Sequence, residues 1–406
     1  MSSGAGIERD LRRILAVQAL RAFAYGFGTV ILPTALVESG LSDAQVGVIF
    51  TAMLAGMALS AVAVGLLGDR VGRRRLYAAL LAVMGLAGIV FALTDSVAAL
   101  VAVALTGTMS TDANESGPIT SLEQAMIGQA PAASRIQVFG RYNAVAYLAG
   151  AAGALAAGGP GALRDALPSL PADQRWLLLF PLLAVACVVL ALRLTTGVES
   201  GTARPARPLQ RSRANVARLS SLFAIDAFAG GFIVTTFIVY WFERKFGASP
   251  LLMSVVIFAS GLLQAGSSIV AARIGARFGL LNTMVFSHLP SNVLLLFIPL
   301  MPSLGLAIAL LLVRFSLSQM DVPTRQAYIA AMVDPEERTA AAAFTNTSRF
   351  VARPFGPAIG TALMTNVALG APFVVAGALK AGYDLLLWRF FRRIELPEEA
   401  PVGGSG

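Results

Sequence analysis

Ionisable side chains inside long apolar segments are the residues of this sequence most able to do chemistry. A charged side chain at the centre of a bilayer costs about 3 kcal/mol, so it usually faces a cavity, a partner or a ligand. Carboxylates at such depth can relay protons, and arginines can hold a carboxylate or phosphate through two parallel hydrogen bonds. The acids are Asp112, Glu115, Glu123, Asp226, Asp321 and Asp384, and the bases are Arg21, Arg141, Arg314, Arg325, Arg349, Arg353 and Lys380.

Helical phase, at about 100° per residue, gathers several of these groups onto common faces. These faces carry Asp112 with Glu115 and Glu123, Arg314 with Asp321 and Arg325, and Arg349 with Arg353. Permanent ion pairs that order the bundle are the alternative to a functional role, and we expect them most for Glu123, Arg325 and Arg141. Lys380 and Asp384, four residues apart, are interpreted as a structural pair.

Composition indicates the class of protein that must position these groups. The 406 residues are 56% hydrophobic and 13% charged, with a mean hydropathy of +0.73, whereas soluble domains are about 25% charged. The chain is therefore predicted to be a polytopic membrane protein, and its net charge of +9 is attributed to arginines at the cytoplasmic face rather than to nucleic-acid binding. A single cysteine, Cys187, excludes a disulfide framework.

Apolar runs of about 20 residues, the length that crosses the hydrocarbon core, predict an all-α protein with twelve transmembrane helices. Arg21 interrupts the first run, so we expect no cleavable signal peptide. Pro118 and Pro323 are expected to bend the fourth and tenth helices. The predicted spans are about 12–37, 44–67, 75–94, 97–128, 136–157, 176–194, 216–241, 250–273, 280–300, 303–331, 338–365 and 370–390.

The distribution of Lys and Arg predicts the orientation, because these residues are retained on the cytoplasmic side. The outer loops hold Arg164, Arg175, Arg244 and Lys245, while the inner segments hold many more. Both termini are thus expected in the cytoplasm. The predicted domains are a first six-helix bundle at 1–194, a cytoplasmic linker at 195–215, a second bundle at 216–391, and a tail at 392–406 that ends in a vector-like Gly-Gly-Ser-Gly.

A short basic loop, G-L-L-G-D-R-V-G-R-R-R at 65–75, separates the uncharged runs 44–68 and 76–94. Its pattern, G-x-x-x-D-R-x-G-R-R, resembles the signature loop between helices 2 and 3 of the major facilitator superfamily of transporters. The resemblance implies that Asp69 pairs with a neighbouring helix end and holds the inner gate shut. The implied gating residues are Gly65, Asp69, Arg70, Gly72 and Arg73.

An internal repeat supports the resemblance. Residues 21–27 align with 226–232, and 68–72 align with 275–279 at nearly the same offset. The superfamily's two halves are such parallel repeats, related by a pseudo-twofold axis along the membrane normal. Arg21 and Asp226 match with opposite charge, so we expect them to approach within salt-bridge reach in at least one state.

In the superfamily, helices 1, 4, 7 and 10 line the central cavity, which implies a substrate site formed by the charged residues of those helices with help from helix 11. Asp112, Glu115 and Asp226 are the expected proton-coupling residues. The expected substrate-binding residues are Arg21, Tyr25, Asp112, Glu115, Asp226, Arg314, Asp321, Arg349 and Arg353. His288, the only histidine, lies in an outer helix and is interpreted as structural.

The predicted function is secondary active transport of a small polar or charged solute, such as an anion, by alternating access with proton coupling. The sequence has no nucleotide-binding loop, nucleophile motif or metal-spaced His and Cys, so we expect no enzyme activity, catalytic residue, metal site or cofactor. Expected partners are the solute, protons or another coupling ion, and the lipid of a bacterial inner membrane, with the protein a monomer and no nucleic acid bound.

Three alternatives stay open. A proton-coupled multidrug efflux antiporter would be expected to have an apolar, aromatic cavity. Only 8% of the residues are aromatic, and the middle of the predicted spans is crowded with charge, so this alternative is disfavoured. A metal-cation exporter could use the acids of helix 4, although the excess of arginine disfavours it. A non-transporting membrane receptor or a lipid-handling protein is the alternative from a different class.

Overall fold

The computed structural model describes residues 2–110, 117–127, 132–170, 173–198, 210, 212–333 and 337–394. Within these ranges the chain is helical and has no strand, as the continuous apolar runs predict. The helices are α1 (Ser2–Glu38), α2 (Asp43–Val71), α3 (Arg73–Leu93), α4 (Val97–Ala104), α5 (Pro118–Ile127), α6 (Ala132–Ala156), α7 (Gly159–Ala166), α8 (Leu179–Leu192), α9 (Arg213–Gly231), α10 (Thr235–Phe246), α11 (Pro250–Phe278), α12 (Leu280–Phe297), α13 (Leu304–Ser318), α14 (Asp321–Met332), α15 (Arg338–Ala352), α16 (Phe355–Asn366) and α17 (Ala371–Phe391). Short 3-10 turns lie at Asp173–Leu178, Thr196–Val198 and Ile298–Leu300.

The helices form two compact units. The first unit comprises Met1–Ala203, Val234–Leu262 and Pro357–Thr365. The second unit comprises Arg204–Ile233, Leu263–Gly356 and Asn366–Gly406. The predicted division at a 195–215 linker follows chain order and the repeat, and it stays a prediction.

Several predicted spans are interrupted, and the prediction of one continuous helix at 97–128 is wrong. Helix α4 ends at Ala104, and α5 begins only at Pro118. Gly107 adopts a φ of 67°, a left-handed conformation that ends a helix readily when the residue is glycine. Pro118 lacks an N–H and so suits the first position of α5. The predicted spans 216–241, 303–331 and 338–365 are each divided into two helices as well.

Eight helices in the described part of the chain are long and apolar enough to cross a membrane. They correspond to the predicted spans 1, 2, 3, 6, 7, 8, 9 and 12, and the total of twelve stays a prediction. Their bounds are Glu8–Glu38, Asp43–Val64, Arg73–Leu93, Gln174–Leu192, Arg213–Phe246, Pro250–Gly275, Leu280–Leu300 and Ala371–Phe391.

Packing inside the two units repeats the same pairs of helices. In the first unit α1 packs against α6 and α8, and α3 packs against α8. In the second unit α9 packs against α15 and α17, and α12 packs against α17. In the predicted span numbering, helix 1 contacts 5 and 6 as helix 7 contacts 11 and 12, which fits the repeat.

Glycines allow the closest of these approaches at matching positions. A Cβ atom built on Gly26 of α1 would fall on the backbone of Gly150 in α6. A Cβ atom on Gly356 of α16 would likewise fall on the backbone of Gly231 at the end of α9, and one on Gly231 would fall on the Arg353 carbonyl oxygen. Gly26 and Gly231 align in the repeat, so the same backbone contact is built twice.

Candidate functional site

The first buried charge cluster surrounds Glu123 on α5. Arg21 Nη2 on α1 lies 2.6 Å from Glu123 Oε2. Tyr142 of α6 donates its hydroxyl to the same oxygen at 2.6 Å, and Tyr77 of α3 donates to Oε1 at 2.7 Å. Arg21 also donates to Gln18 on its own helix. This first-unit cluster therefore ties four helices to one carboxylate.

Burial makes the first-unit cluster a strong restraint. Arg21 is 2% exposed and Glu123 is fully buried, and the Arg21 guanidinium lies 5.2 Å from the centre of the Tyr25 ring. Both carboxylate oxygens accept hydrogen bonds, although Arg21 Nε makes none within the described residues. Removing one partner of such a pair would leave a buried charge uncompensated. The ion-pair role considered for Glu123 fits this geometry, with Arg21 as its partner.

The second buried charge cluster joins α9, α12 and α17. Lys380 Nζ of α17 lies 2.5 Å from Asp226 Oδ1 of α9. Asp384, one turn further along α17, has its Oδ1 atom 2.9 Å from His288 Nδ1 of α12. Asn292 donates its amide to Asp384 Oδ2 at 2.8 Å and lies 3.1 Å from His288 Nδ1. We call these five residues the second-unit cluster.

The predicted structural pair of Lys380 with Asp384 is wrong for this structure. Both residues bind a different helix, because the face of α17 that carries them packs against α9 and α12. The cluster is also incompletely hydrogen-bonded. Asn292 Oδ1 and the Tyr383 hydroxyl are buried and have no hydrogen-bond partner within the described residues.

Further charges lie on the neighbouring helices of the second unit. Arg325 of α14 is 3.0 Å from Asp321, as their predicted common face requires. Arg349 of α15 interacts electrostatically with Asp226, Asp321 and Arg325. Arg314 of α13 is 7% exposed. The second unit thus gathers cations and anions from five helices.

The other predicted site residues are placed unequally. Asp112 and Glu115 lie outside the described residues. Arg353 is half-buried at the turn between α15 and α16, where its carbonyl lies against Gly231. Arg141 is exposed. The pairing of Arg21 with Asp226 stays a prediction for another state, because each residue here binds an acid or base of its own unit.

The gating residues fall partly outside the described part of the chain. Gly65, Asp69 and Arg70 belong to α2, but the side chains of Asp69 and Arg70 lie outside the described part of the structure, so the predicted Asp69 pairing stays a prediction. Gly72 joins α2 to α3 with a φ of 92°, which explains the need for glycine at this turn. Arg73 begins α3.

Polar atoms gather at the interruption that follows α4. The Tyr25 hydroxyl donates to the Thr108 carbonyl at 2.5 Å, and the Ser60 hydroxyl donates to the Thr106 carbonyl at 2.7 Å. The Thr106 and Thr108 hydroxyls are 2.9 Å apart. Unwound backbone of this kind is tolerated at membrane depth only where protein or a cavity satisfies it.

Sequence reasoning missed a contact between α2 and α10 inside the first unit. Asp43, the first residue of α2, accepts a hydrogen bond from the Tyr240 hydroxyl. Arg244 Nη2 lies 3.6 Å from the same carboxylate oxygen. Tyr77, Tyr142 and Asn292 were missed as well, since neutral polar side chains are not flagged by a search for charges.

Within the described residues no three His, Cys, Asp or Glu side chains are grouped to hold a metal ion. The candidate site consists of the buried, hydrogen-bonded charges of the first-unit and second-unit clusters and their neighbours. Such a set can bind a charged solute or a proton.

Comparisons with known proteins agree with this architecture. A family model described as Major Facilitator Superfamily matches residues 14–313 and, in a second overlapping match, 219–406. An uncharacterized membrane protein of Saccharomyces cerevisiae is 25% identical over 425 residues, covering 95% of each chain.

Three solved structures share the fold at low identity. The nucleoside transporter NupG matches with a TM-score of 0.70 and 13% identity, over 94% of this chain and 98% of that one. A bacterial homologue of the human lysosomal transporter Spinster, in an inward-facing and occupied conformation, matches with a TM-score of 0.71 and 16% identity, over 94% of this chain and 97% of that one. The human organic anion transporter TETRAN matches with a TM-score of 0.65 and 18% identity, over 94% of this chain and 99% of that one.

Proposed function

The chain belongs to the major facilitator superfamily, and on that premise we propose that it moves a small polar or charged solute across a membrane with proton coupling. It is an integral membrane protein of a secondary-transporter family. We propose that both termini lie in the cytoplasm, because Lys and Arg are retained on that side, and that the membrane is a bacterial inner membrane.

The observation that carries the proposal is the concentration of buried charge in the second unit. Asp226, Asp321, Arg314 and Arg325 are all less than a tenth exposed, and Arg349 interacts with three of them. Charges at membrane depth mark ion and substrate pathways. Arg349 and Arg353 on the helix 11 segment are proposed to hold an anionic group of the solute.

The alternatives are less well supported by the same residues. A lipophilic drug would gain little from a site lined with charged side chains, because its apolar surface offers those charges no compensating interaction. A metal-cation exporter would use the helix 4 acids, of which Asp112 and Glu115 lie outside the described residues, and the excess of arginine disfavours it. The solved structures at this level of identity include transporters of nucleosides and of organic anions, so their likeness does not choose the solute.

The proton-coupling and gating roles continue the sequence predictions. Asp112, Glu115 and Asp226 are proposed as proton carriers. Asp69 is proposed to hold the inner gate shut, so Asp69→Asn should retain the fold and shift spin-label distances across that gate. Identical distance distributions in the variant and the parent protein would contradict this role.

A ligand-stabilisation screen with purified protein tests the solute class, because a bound ligand raises stability by mass action. Small carboxylates, phosphates, nucleosides and sugars should include a stabilising compound, whose flux into proteoliposomes then responds to an imposed pH gradient. Arg349→Gln should abolish the stabilisation, whereas Arg12→Gln, at an exposed arginine, should retain it. Stabilisation by lipophilic cations alone, or flux indifferent to the pH gradient, would overturn the proposal.

A further inference from the structure

We propose that His288 and Asp384 form a proton-binding site, and that its protonation decides whether Lys380 binds Asp226 or Asp384. The inference rests on the proposed proton coupling. It adds to the proton carriers proposed above a histidine on α12 and a carboxylate on α17, both of which sequence reasoning interpreted as structural, and links them to Asp226 through Lys380.

Hydrogen-bond geometry at His288 admits two arrangements. The Nδ1 atom lies 2.9 Å from Asp384 Oδ1 and 3.1 Å from Asn292 Nδ2. It donates to the carboxylate if it carries a proton, and it accepts from the amide if it does not, but it cannot do both. An imidazolium, or a neutral ring protonated at Nδ1, therefore donates to Asp384, whereas a neutral ring protonated at Nε2 accepts from Asn292.

Two ion pairs near His288 do not include Asp384. On α14 Asp321 binds Arg325, and on α17 Lys380 binds Asp226 of α9. Arg314 on α13 completes the charged groups on helices that pack against α12. An imidazolium at His288 neutralises Asp384. A neutral ring of either tautomer leaves that buried carboxylate with neutral donors only and no compensating positive charge, which is costly in a low-dielectric site.

Lys380 offers the compensation. It precedes Asp384 by one turn on α17, and side chains four residues apart on a helix are neighbours. A rotamer change of the long lysine side chain can move its ammonium group from Asp226 to Asp384. Asp226, on α9, would then be released. His288 gives its proton to solvent in this step, and the lysine keeps its own charge.

The incomplete hydrogen bonding of the second-unit cluster favours such an exchange. Asn292 Oδ1 and the Tyr383 hydroxyl are buried without a hydrogen bond within the described residues. Partly satisfied polar networks lack the rigidity of complete ones. Both atoms are thus available for new hydrogen bonds when Lys380 moves from Asp226 to Asp384.

The sequence provides two unusually clean reporters. His288 is the only histidine, and Lys245 and Lys380 are the only lysines. The protein, without a histidine tag, is labelled with 15N-histidine and 15N-lysine and held in lipid nanodiscs. Its side-chain signals then come from one imidazole ring and two ammonium groups. Lys245→Arg assigns the signal of Lys380. The titration covers about pH 5 to 8, the range in which histidine commonly changes charge.

We expect His288 to titrate in this range and the Lys380 signal to move with the same midpoint. In His288→Gln the Lys380 signal should not depend on pH. In Asp226→Asn the Lys380 signal at acidic pH should already have the chemical shift that it has at alkaline pH in the parent protein. Glu8→Gln, an exposed control, should change neither signal.

Two results would overturn the proposal: a His288 ring in one protonation state throughout, or a Lys380 signal that stays constant while His288 titrates. Both are read from the parent protein, so a variant that fails to fold does not decide the outcome. The measurement needs no transported solute. Its failure therefore leaves the proposed function standing, whereas pH-independent flux beside a titrating His288 would refute the coupling of transport to protons.

Discussion

Arg21 in the first unit and Asp226 in the second occupy matching positions of the internal repeat, and their surroundings differ in kind. Around Arg21 a single acid, Glu123, accepts from the arginine and from two tyrosines. Around Asp226 on α9, the partner Lys380 shares α17 with a second carboxylate, Asp384, which is bound by a histidine.

The difference shows how one scaffold can supply both a fixed and an exchangeable set of charges. A carboxylate with both oxygens bonded to donors on separate helices has no equivalent arrangement to adopt. A lysine that binds an acid of another helix and has a second acid one turn away on its own helix has two possible arrangements. We infer that the first-unit cluster holds its helices together, while the second-unit cluster can change partners.

The sharpest way to break this comparison is Glu123→Ala. The change leaves Arg21 buried without its acid and removes the acceptor of two tyrosines, so we expect a loss of about 3–5 kcal/mol. Thermal unfolding in detergent measures it. Glu8→Ala, at an exposed residue, is the control, and equal unfolding of the two variants would show that the cluster is not a restraint.

Tyr77→Phe removes one hydrogen bond to the same carboxylate and keeps the ring. Hydrogen bonds to charged groups contribute about 1.5–3 kcal/mol, so a loss of that size is expected in the same unfolding assay. Tyr383→Phe is the matched control, because that buried hydroxyl has no hydrogen bond within the described residues. A larger loss in Tyr383→Phe than in Tyr77→Phe would reverse the contrast between the clusters.

The glycine contacts test whether the scaffold itself is alike in both units. Gly26→Ala and Gly231→Ala each place a methyl group on a neighbouring backbone, and overpacking of this kind costs about 1–3 kcal/mol. We expect similar losses for both changes and almost none for Gly266→Ala, where the added atom meets open space. Strongly unequal losses would mean that the repeat is not built equally.

The smallest expected effect is a coupling energy. Asp226→Ala alone leaves Lys380 with Asp384 one turn away, so its cost should be moderate. Asp226→Ala combined with Asp384→Ala removes both acceptors, and the double variant should lose about 0.5–3 kcal/mol more than the two single losses together. Strict additivity would indicate that Lys380 does not exchange between the two acids.

The sequence predicted the helical class and the burial of most of the charges that the structure describes, because hydropathy and helical phase depend on local spacing alone. It did not predict which charges meet. Lys380 and Asp384 are neighbours along α17, but their partners Asp226 and His288 lie on other helices, and the distances across helices are set by packing. Glu123 was expected to form an ion pair, yet only the fold identifies Arg21 as its partner.

The interruption after α4 escaped prediction for a related reason. Hydropathy counts apolar side chains and is blind to the backbone, so the run at 97–128 was interpreted as one helix. Gly107, followed eleven residues later by Pro118, is a local signal of a break that the apolar run conceals. Asp112 and Glu115 were assigned to a helix face on the strength of that continuity, so their proposed common face rests on sequence alone.

The shortness of α4 also bears on how the protein enters its membrane. Its 8 residues extend about 12 Å at 1.5 Å per residue, less than half of the roughly 30 Å hydrocarbon core. During synthesis this segment cannot partition into lipid by itself as an ordinary stop-transfer sequence does. Because α4 packs against α2 and α3, which are synthesised before it, we expect it to enter the bilayer together with these helices rather than alone.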